Sequence, residues 1–528
     1  MKPEMWKTAF SLACAAAFTG PAVCQEKSPA VPENEAPPTQ GLPPEVLPRP
    51  KSALPDGKAA MPILNKPKDV PFIPGGVASV GGPLGLLDVL DSVEKHYPLL
   101  QAIEQERAIA GGKLLSAMGG FDLNFVASGD STAPATYDNF RGNVGLNQML
   151  PVGGMSVFGG YRNGYGDFPT YNLSQLTADG GEVRAGMIIP LAKDRAIDRP
   201  RAGIQQARID VQITEPMIER QRLDFKRAAA RTYWNWIANG QRVKVANEMV
   251  RLAVERDGQL KARVEAGPAA NIERIDNQQN IAFRNGLMVQ SQRAFQQSSI
   301  ELSLFLRDET GAPTVAGQDR LPDFPLVQEV DLASFDTALN TAMELRPEPR
   351  RLRLQREKAA VELNLARNQT RQSLNAVVSG SQDIGYGTSS LSGPNGLDRS
   401  NLNASLVYQM PVQRREARGR VLQSEATLAQ LEAQIRNAED VIRAEIQDGF
   451  TALERAYEFH RQAGSRVDLA RTVARAEREQ LRLGRSDILR VTLREQAAFE
   501  AEILEISARQ EYFRAKTDLL VAQGLDAR

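Results

Sequence analysis

The 528-residue sequence has almost no cysteine and almost no histidine. Its two cysteines, Cys14 and Cys24, both fall at the extreme start. A disulfide scaffold or a thiolate metal site is therefore excluded for the bulk of the chain. His96 and His460 are the only imidazoles, so one chain cannot build a multi-histidine metal site. Neither sign of charge is in excess, with 64 Lys+Arg against 64 Asp+Glu, which argues against a nucleic-acid surface and against an acidic solvating tail. No segment beyond the leader approaches ~18 uninterrupted apolar residues, so any part that enters a membrane must do so as a β-barrel. The sequence also lacks a G-x-x-x-x-G-K-[ST] loop, a G-x-S-x-G, an H-E-x-x-H and an EF-hand loop. No enzyme, no cofactor and no metal site is expected, and energy for any transport must come from partners.

What the chain does contain is 42% apolar and 24% charged residues, with only 6% aromatics and much Ala, Gln, Glu and Arg. That balance suits long helices more than a mixed enzyme core. Residues 1–24 read as an export signal: Lys2 and Lys7 precede a short apolar run, and small residues around Ala22 offer cleavage. Cys24 is either removed with it or becomes a lipid-anchored first residue, although Pro21-Ala22-Val23 makes a poor lipobox. Residues 25–80 are proline-rich, as in PPTQGLPPEVLPRP at 37–50, and too sparse in apolar side chains to offset chain ordering. A disordered tether is expected there.

Beyond the tether the sequence repeats itself. LDVLDSVEKHYP (87–98) corresponds to DTALNTAMELRP (336–347), with Pro98 opposite Pro347 at an offset of 249 residues. MIIPLAKDRAIDRPRAGIQQA (187–207) matches VYQMPVQRREARGRVLQSEA (407–426), with Pro190 opposite Pro411 at an offset of 221. ARVEAGPAANIERI (262–275) matches QLRLGRSDILRV (480–491), with Gly267 opposite Gly484 at an offset of 217. The first half thus carries 28 extra residues ahead of Pro190 and four more in the following helix. A four-residue insertion in a supercoiled helix is a stutter and need not break it.

Each half reads as a short helix, strands, a long helix, a Gly turn and a returning helix. Period-2 alternation predicts strands at about 121–130, 143–152, 156–166 and 182–191 in the first repeat (81–325), and at about 374–385 and 401–412 in the second (326–528). Gly153-Gly154 reads as a hairpin turn. In the last strand Leu402, Leu406 and Met410 share one face and Asn401, Asn403 and Ser405 the other, as in segments that span a bilayer at a tilt. Long helices are predicted over about 196–266 and 414–483, returning as 271–308 and 486–523. Leu428, Leu431, Ile435, Ala438, Ile442, Ile446, Phe450 and Leu453 form a coiled-coil seam.

The order of these parts resembles the TolC-type outer-membrane efflux and secretion channel family over about 85–525. The residues that carry the resemblance are Tyr97-Pro98 and Arg346-Pro347, Ile189-Pro190-Leu191 and Met410-Pro411-Val412, and the turns at Gly267 and Gly484. It implies a mainly helical chain with transmembrane β-structure: a homotrimer sharing one outer-membrane β-barrel and one periplasmic α-barrel. It also implies a periplasmic adaptor and an inner-membrane pump as partners, and no nucleic acid. The family pattern is two strands per half, from which the extra hairpin departs. A periplasmic coiled-coil adaptor or structural protein is the alternative, but such a protein would not need strand pairs at each helix root.

The resemblance also makes the two Gly turns the periplasmic tips. The family carries acidic residues six and nine positions after the second Gly; here these are Arg490 and Leu493, whereas the matching positions after Gly267 are Glu273 and Asp276. A mixed gate is expected in which Glu273 and Asp276 face Arg490, with Arg485, Asp487 and Arg494 nearby.

Overall fold

Pro98 and Pro347 each open a helix rather than close one. Proline suits the first helical position because its missing N–H would have no intrahelical partner there. The computed structural model describes residues 82–132, 137–169, 176–267, 270–385 and 400–526. The expected signal and tether lie outside them. The opening helix α1 (Leu86–His96) is followed by α2 (Pro98–Glu104) and α3 (Glu106–Met118), and only then by strands. In the second half α6 (Phe335–Leu345) is followed by α7 (Pro347–Gln369). The sequence reading had strands directly after each opening helix; the helices after the two prolines correct it.

Four strands follow α3: β1 (Asn124–Thr132), β2 (Asn139–Met149), β3 (Ser156–Gly166) and β4 (Glu182–Pro190). After α7 come β5 (Ser373–Asp383) and β6 (Asn401–Gln409). The first strand starts later than expected because Gly119–Phe121 first makes a 3-10 turn. The second ends at Met149 because Leu150–Met155 form the reversal, with Gly153 and Gly154 at φ +64° and +67°. The last strand stops before Pro411, which has no N–H for a ladder. Met410 is therefore outside it, its sulfur accepting from the Arg414 guanidinium.

All six strands form one antiparallel sheet in the order β1-β2-β3-β4-β5-β6. The β2–β3 hairpin is thus inserted between β1 and β4, and β4 pairs with β5 from Glu182↔Asp383 to Pro190↔Asn375, joining the two halves of the chain.

The long helices are α4 (Arg199–Glu265) and α8 (Arg415–Arg482), with α5 (Asn271–Ser303) and α9 (Ile488–Ala522) returning from them. At 1.5 Å per residue α4 and α8 each extend roughly 100 Å. Asp198 starts α4, its carboxylate accepting the Arg201 N–H at 2.9 Å. Near the sheet the helices pack in the order α3, α4, α7, α8; towards the Gly turns the order is α5, α4, α9, α8. The helices α7 and α9 meet where the Arg346 guanidinium donates to the Ala522 carbonyl at 3.1 Å. In α8 the seam from Ile442 to Leu453 is buried and its earlier members half-buried.

The main core lies midway along the helices. Trp234 stacks on Phe513 at 4.5 Å between ring centroids, and Phe324 from the α5–α6 connection stacks on both. The buried indoles find acceptors, Trp236 at Ser299 Oγ (3.1 Å) and Trp234 at Thr517 Oγ1 (3.2 Å). Among the described residues no helix is long and apolar enough to cross a membrane.

Candidate membrane wall and helix tips

The register of the sheet sorts its side chains into two unlike faces. One row across all six strands reads Phe125, Leu146, Gly159, Ala185, Gly380, Leu402. The next row on that face is Ala127, Val144, Tyr161, Val183, Gln382, and Met187, Val378, Ala404, Ala376 and Leu406 continue it. The opposite face carries Ser128, Asn143, Arg162, Glu182, Asp383 in one row. Leu402 is 82% exposed, Leu406 70% and Phe125 68%, so large apolar side chains at both sheet edges stand uncovered within one chain. Leu402 and Leu406 share a face, opposite Asn401, Asn403 and Ser405. A sheet apolar on one side and polar on the other over nine- to eleven-residue strands is what a barrel wall between lipid and water requires.

Side chains of the polar face bond between strands. Arg162 pairs with Glu182 on the adjacent strand. Arg184 on β4 reaches across β3 to donate to Asn143 Oδ1 on β2 at 2.9 Å. Gly160 lies between, and a Cβ there would stand 2.6 Å from the Val144 carbonyl oxygen. Asp383 accepts the Ala178 N–H at 3.0 Å, fixing the chain that leads into β4. Asp130 stands opposite Arg141.

At the other end of the helices the chain reverses at Gly267 (φ +92°) and Gly484 (φ +72°). The second turn caps α8: Gly484 N–H donates to Leu481 O at 3.0 Å and Arg485 N–H to Gln480 O at 2.8 Å, the two bonds of a Schellman motif. Asp487 then caps α9, accepting the Arg490 N–H at 2.7 Å. Within the chain the Arg490 guanidinium pairs with that same Asp487 at 3.5 Å, both side chains exposed. Glu273 and Asp276 lie in the first two turns of α5, half-buried and exposed respectively. Their neighbour Arg274 pairs with Asp257 of α4 at 3.6 Å. Arg485 and Arg494 are exposed, and Arg494 lines a cavity of about 390 Å³ with Leu469 and Val473 of α8.

A charged cluster the sequence reading did not single out lies two to three turns above the second tip. Glu495 of α9 is 5% exposed, and one oxygen receives both Arg256 of α4 and Arg284 of α5, the latter at 3.0 Å. Arg284 also donates to the Met249 carbonyl at 2.9 Å. Burial pushes its guanidinium pKa down, against the opposing pull of Glu495. Arg478 of α8 approaches the other Glu495 oxygen at 3.8 Å, so the cluster touches all four helices. A signal existed: Arg284 is the lone charge between Asp276 and Arg293.

With this geometry the chain is similar in fold to solved outer-membrane channels. The Campylobacter jejuni CmeC outer membrane channel superposes with a TM-score of 0.60 at 12% identity, over 88% of this chain and 94% of that one. The Vibrio cholerae outer membrane protein VceC gives 0.60 at 15% identity, over 84% and 97%. The open-state Neisseria gonorrhoeae MtrE outer membrane channel gives 0.61 at 13% identity, over 84% and 89%. No family model matches the sequence, and no curated protein matches it. The chain therefore has the fold of the TolC-type outer-membrane efflux channels, reached at sequence identities of 12–15%.

Proposed function

We propose that the protein is a passive outer-membrane channel, an exit duct across outer membrane and periplasm that serves an inner-membrane pump through a periplasmic adaptor. The observation that carries this reading is the six-stranded sheet with one mainly apolar face, rooted on four helices of which two run roughly 100 Å. A lone sheet cannot sit in lipid, because β1 and β6 leave open edges whose backbone groups lack partners. Six strands are also too few for a closed barrel, which starts near ~8. We therefore infer a homotrimer whose subunits share one barrel, in keeping with the channel fold. Small-molecule efflux and protein secretion both fit a wide polar lumen.

In this reading residues 1–24 are the export signal and 25–80 the tether, and 81–325 and 326–528 are the two halves of a duplicated unit. The tips at Gly267 and Gly484 are then the periplasmic end where an adaptor docks. The gate residues would act between copies, Arg490 of one hairpin meeting Glu273 or Asp276 of the next.

The test is reconstitution of the purified protein in planar bilayers. Discrete conductance steps, trimer mass by light scattering in detergent and co-fractionation with outer membranes after a salt wash support the reading. A folded detergent-soluble monomer without conductance, released from membranes by salt, would instead identify a periplasmic coiled-coil protein.

A further inference from the structure

We propose that the β2–β3 hairpin belongs to the membrane wall itself, so that three copies close a barrel of eighteen strands, six from each, with an exit wide enough for compact polypeptide cargo. This rests on the channel reading above.

Three observations carry it. The hairpin continues both faces of the sheet: Val144, Leu146 and Tyr161 extend the apolar rows, and Asn143 and Arg162 extend the polar one. It is paired on both sides, to β1 over Asn139–Asn147 and to β4 over Ser156–Arg162, and the Arg184–Asn143 bond ties its polar face to the next strand. Its turn is seated on the start of α4, where Gly154 adjoins Asp194, Asp198 and Arg201. A hairpin folded into the lumen or standing above the membrane would break all three.

The widths agree as well. Six strands spaced about 4.8 Å and tilted about 40° cover an arc of roughly 38 Å. The four helices below, α3, α4, α7 and α8, cover about 40 Å at ~10 Å between axes. Four strands alone would cover roughly 25 Å at that tilt, and the wall would have to taper or tilt more steeply. Because six is even, β1 and β6 run in opposite senses, and β6 of one copy can continue the antiparallel ladder into β1 of the next. Both edge strands are nine residues long. Eighteen strands give a backbone diameter of about 36 Å and a clear opening of roughly 25 Å, the diameter of a compact polypeptide of about 50 residues.

The test uses the full chain with single cysteines at Val144, Val157 and Leu402, and at Asn143 and Asn403. Trimer mass by light scattering checks that each variant folds. We expect the first three to react with a lipid-confined thiol probe and the last two only with a water-soluble one. Neutral polymers of roughly 20 Å diameter, added on the outer side of a bilayer, should lower conductance. Lipid labelling at Leu402 but not at Val144 and Val157, or exclusion of those polymers, overturns the proposal and leaves the channel reading standing. Absence of lipid labelling at Leu402 too overturns both.

Discussion

Gly154 lies so close to Asp194 that a Cβ on the glycine would stand 2.3 Å from the Asp194 carbonyl oxygen. That carbonyl also accepts from the Arg201 guanidinium at 2.6 Å, and Asp194 itself has φ +67°. The hairpin turn and the start of α4 are locked together, which makes Gly154→Ala costly twice: about 1–2 kcal/mol for the left-handed backbone and a clash besides. A drop in the protein's thermal midpoint is expected. Gly153→Ala, with only a 3.9 Å contact to Met155, should lose the backbone part alone. Equal midpoints for the two variants would show that the turn is not seated on α4 in solution.

Arginine at Leu402 or Leu406 should destabilise the folded channel by about 2–4 kcal/mol if the site lies near the bilayer midplane, and arginine at Asn403 or Ser405 far less. Unfolding from lipid vesicles in denaturant measures the difference. Similar losses at all four positions would mean that the two faces do not meet different solvents.

The Glu495 cluster predicts an asymmetry. Glu495→Gln leaves Arg256 and Arg284 buried against a neutral group and should cost about 3–5 kcal/mol, as breaking a buried ion pair does. The double change Arg284→Met with Glu495→Gln removes part of the unpaired charge and should recover some of that loss. Hydrogen exchange along α5 and α9 reads both effects. Unchanged exchange in Glu495→Gln would show that the pair contributes little to holding these helices.

At the tip, three symmetry-related contacts of ~1 kcal/mol between Arg490 and Glu273 or Asp276 would bias a two-state gate by about 3 kcal/mol, over a hundredfold in open population. Arg490→Glu should raise single-channel conductance, and raising salt should open the unmutated channel in part through screening. The local Asp487 partner supplies the control, because Asp487→Asn removes the pair within the chain and leaves any contact between copies. If Arg490→Glu conducts like the parent at every salt concentration, the constriction lies elsewhere.

Gly267 and Gly484 have open space where a Cβ would point, so only their positive φ resists substitution. Replacement by Ala should cost about 1–2 kcal/mol of local stability and replacement by Asn less, since Asn tolerates the left-handed region. Proteolysis at the tips would report it, and equal cutting of Ala and Asn variants would count against a conformational cause.

Much of this architecture was legible because two periodicities of the chain are strong. The alternation Leu402, Ala404, Leu406 against Asn401, Asn403, Ser405 was readable as a two-faced strand, and the spacing from Leu428 to Leu453 as a helix seam. Gly484 announced its turn because few residues take a positive φ, whereas Asp487, read only as a charge near the gate, caps α9. The helices after Pro98 and Pro347 were not read, since proline at a helix start and proline after a helix end look alike in sequence. Met410 was assigned to β6 by alternation, which is blind to the missing N–H of Pro411. The partner sought for Arg490 across the tip would belong to another hairpin; within the chain its guanidinium pairs with Asp487, the cap of α9. Glu495 was hidden among many charged helix positions, because which of them is buried is decided by how four helices meet.

The place of the β2–β3 hairpin bears on how such a wall changes calibre. It leaves β1 and returns to β4 without altering the direction of either, and its turn rests on the start of α4 in its own chain. The edges that would meet other copies in the proposed trimer, β1 and β6, lie outside the inserted segment, as do the roots of α3, α4, α7 and α8. In the proposed trimer, circumference could therefore grow or shrink in steps of two strands per chain while the subunit contacts and the helical tube stay as they are. On that reading pore size is a module that selection, or an engineer, could exchange.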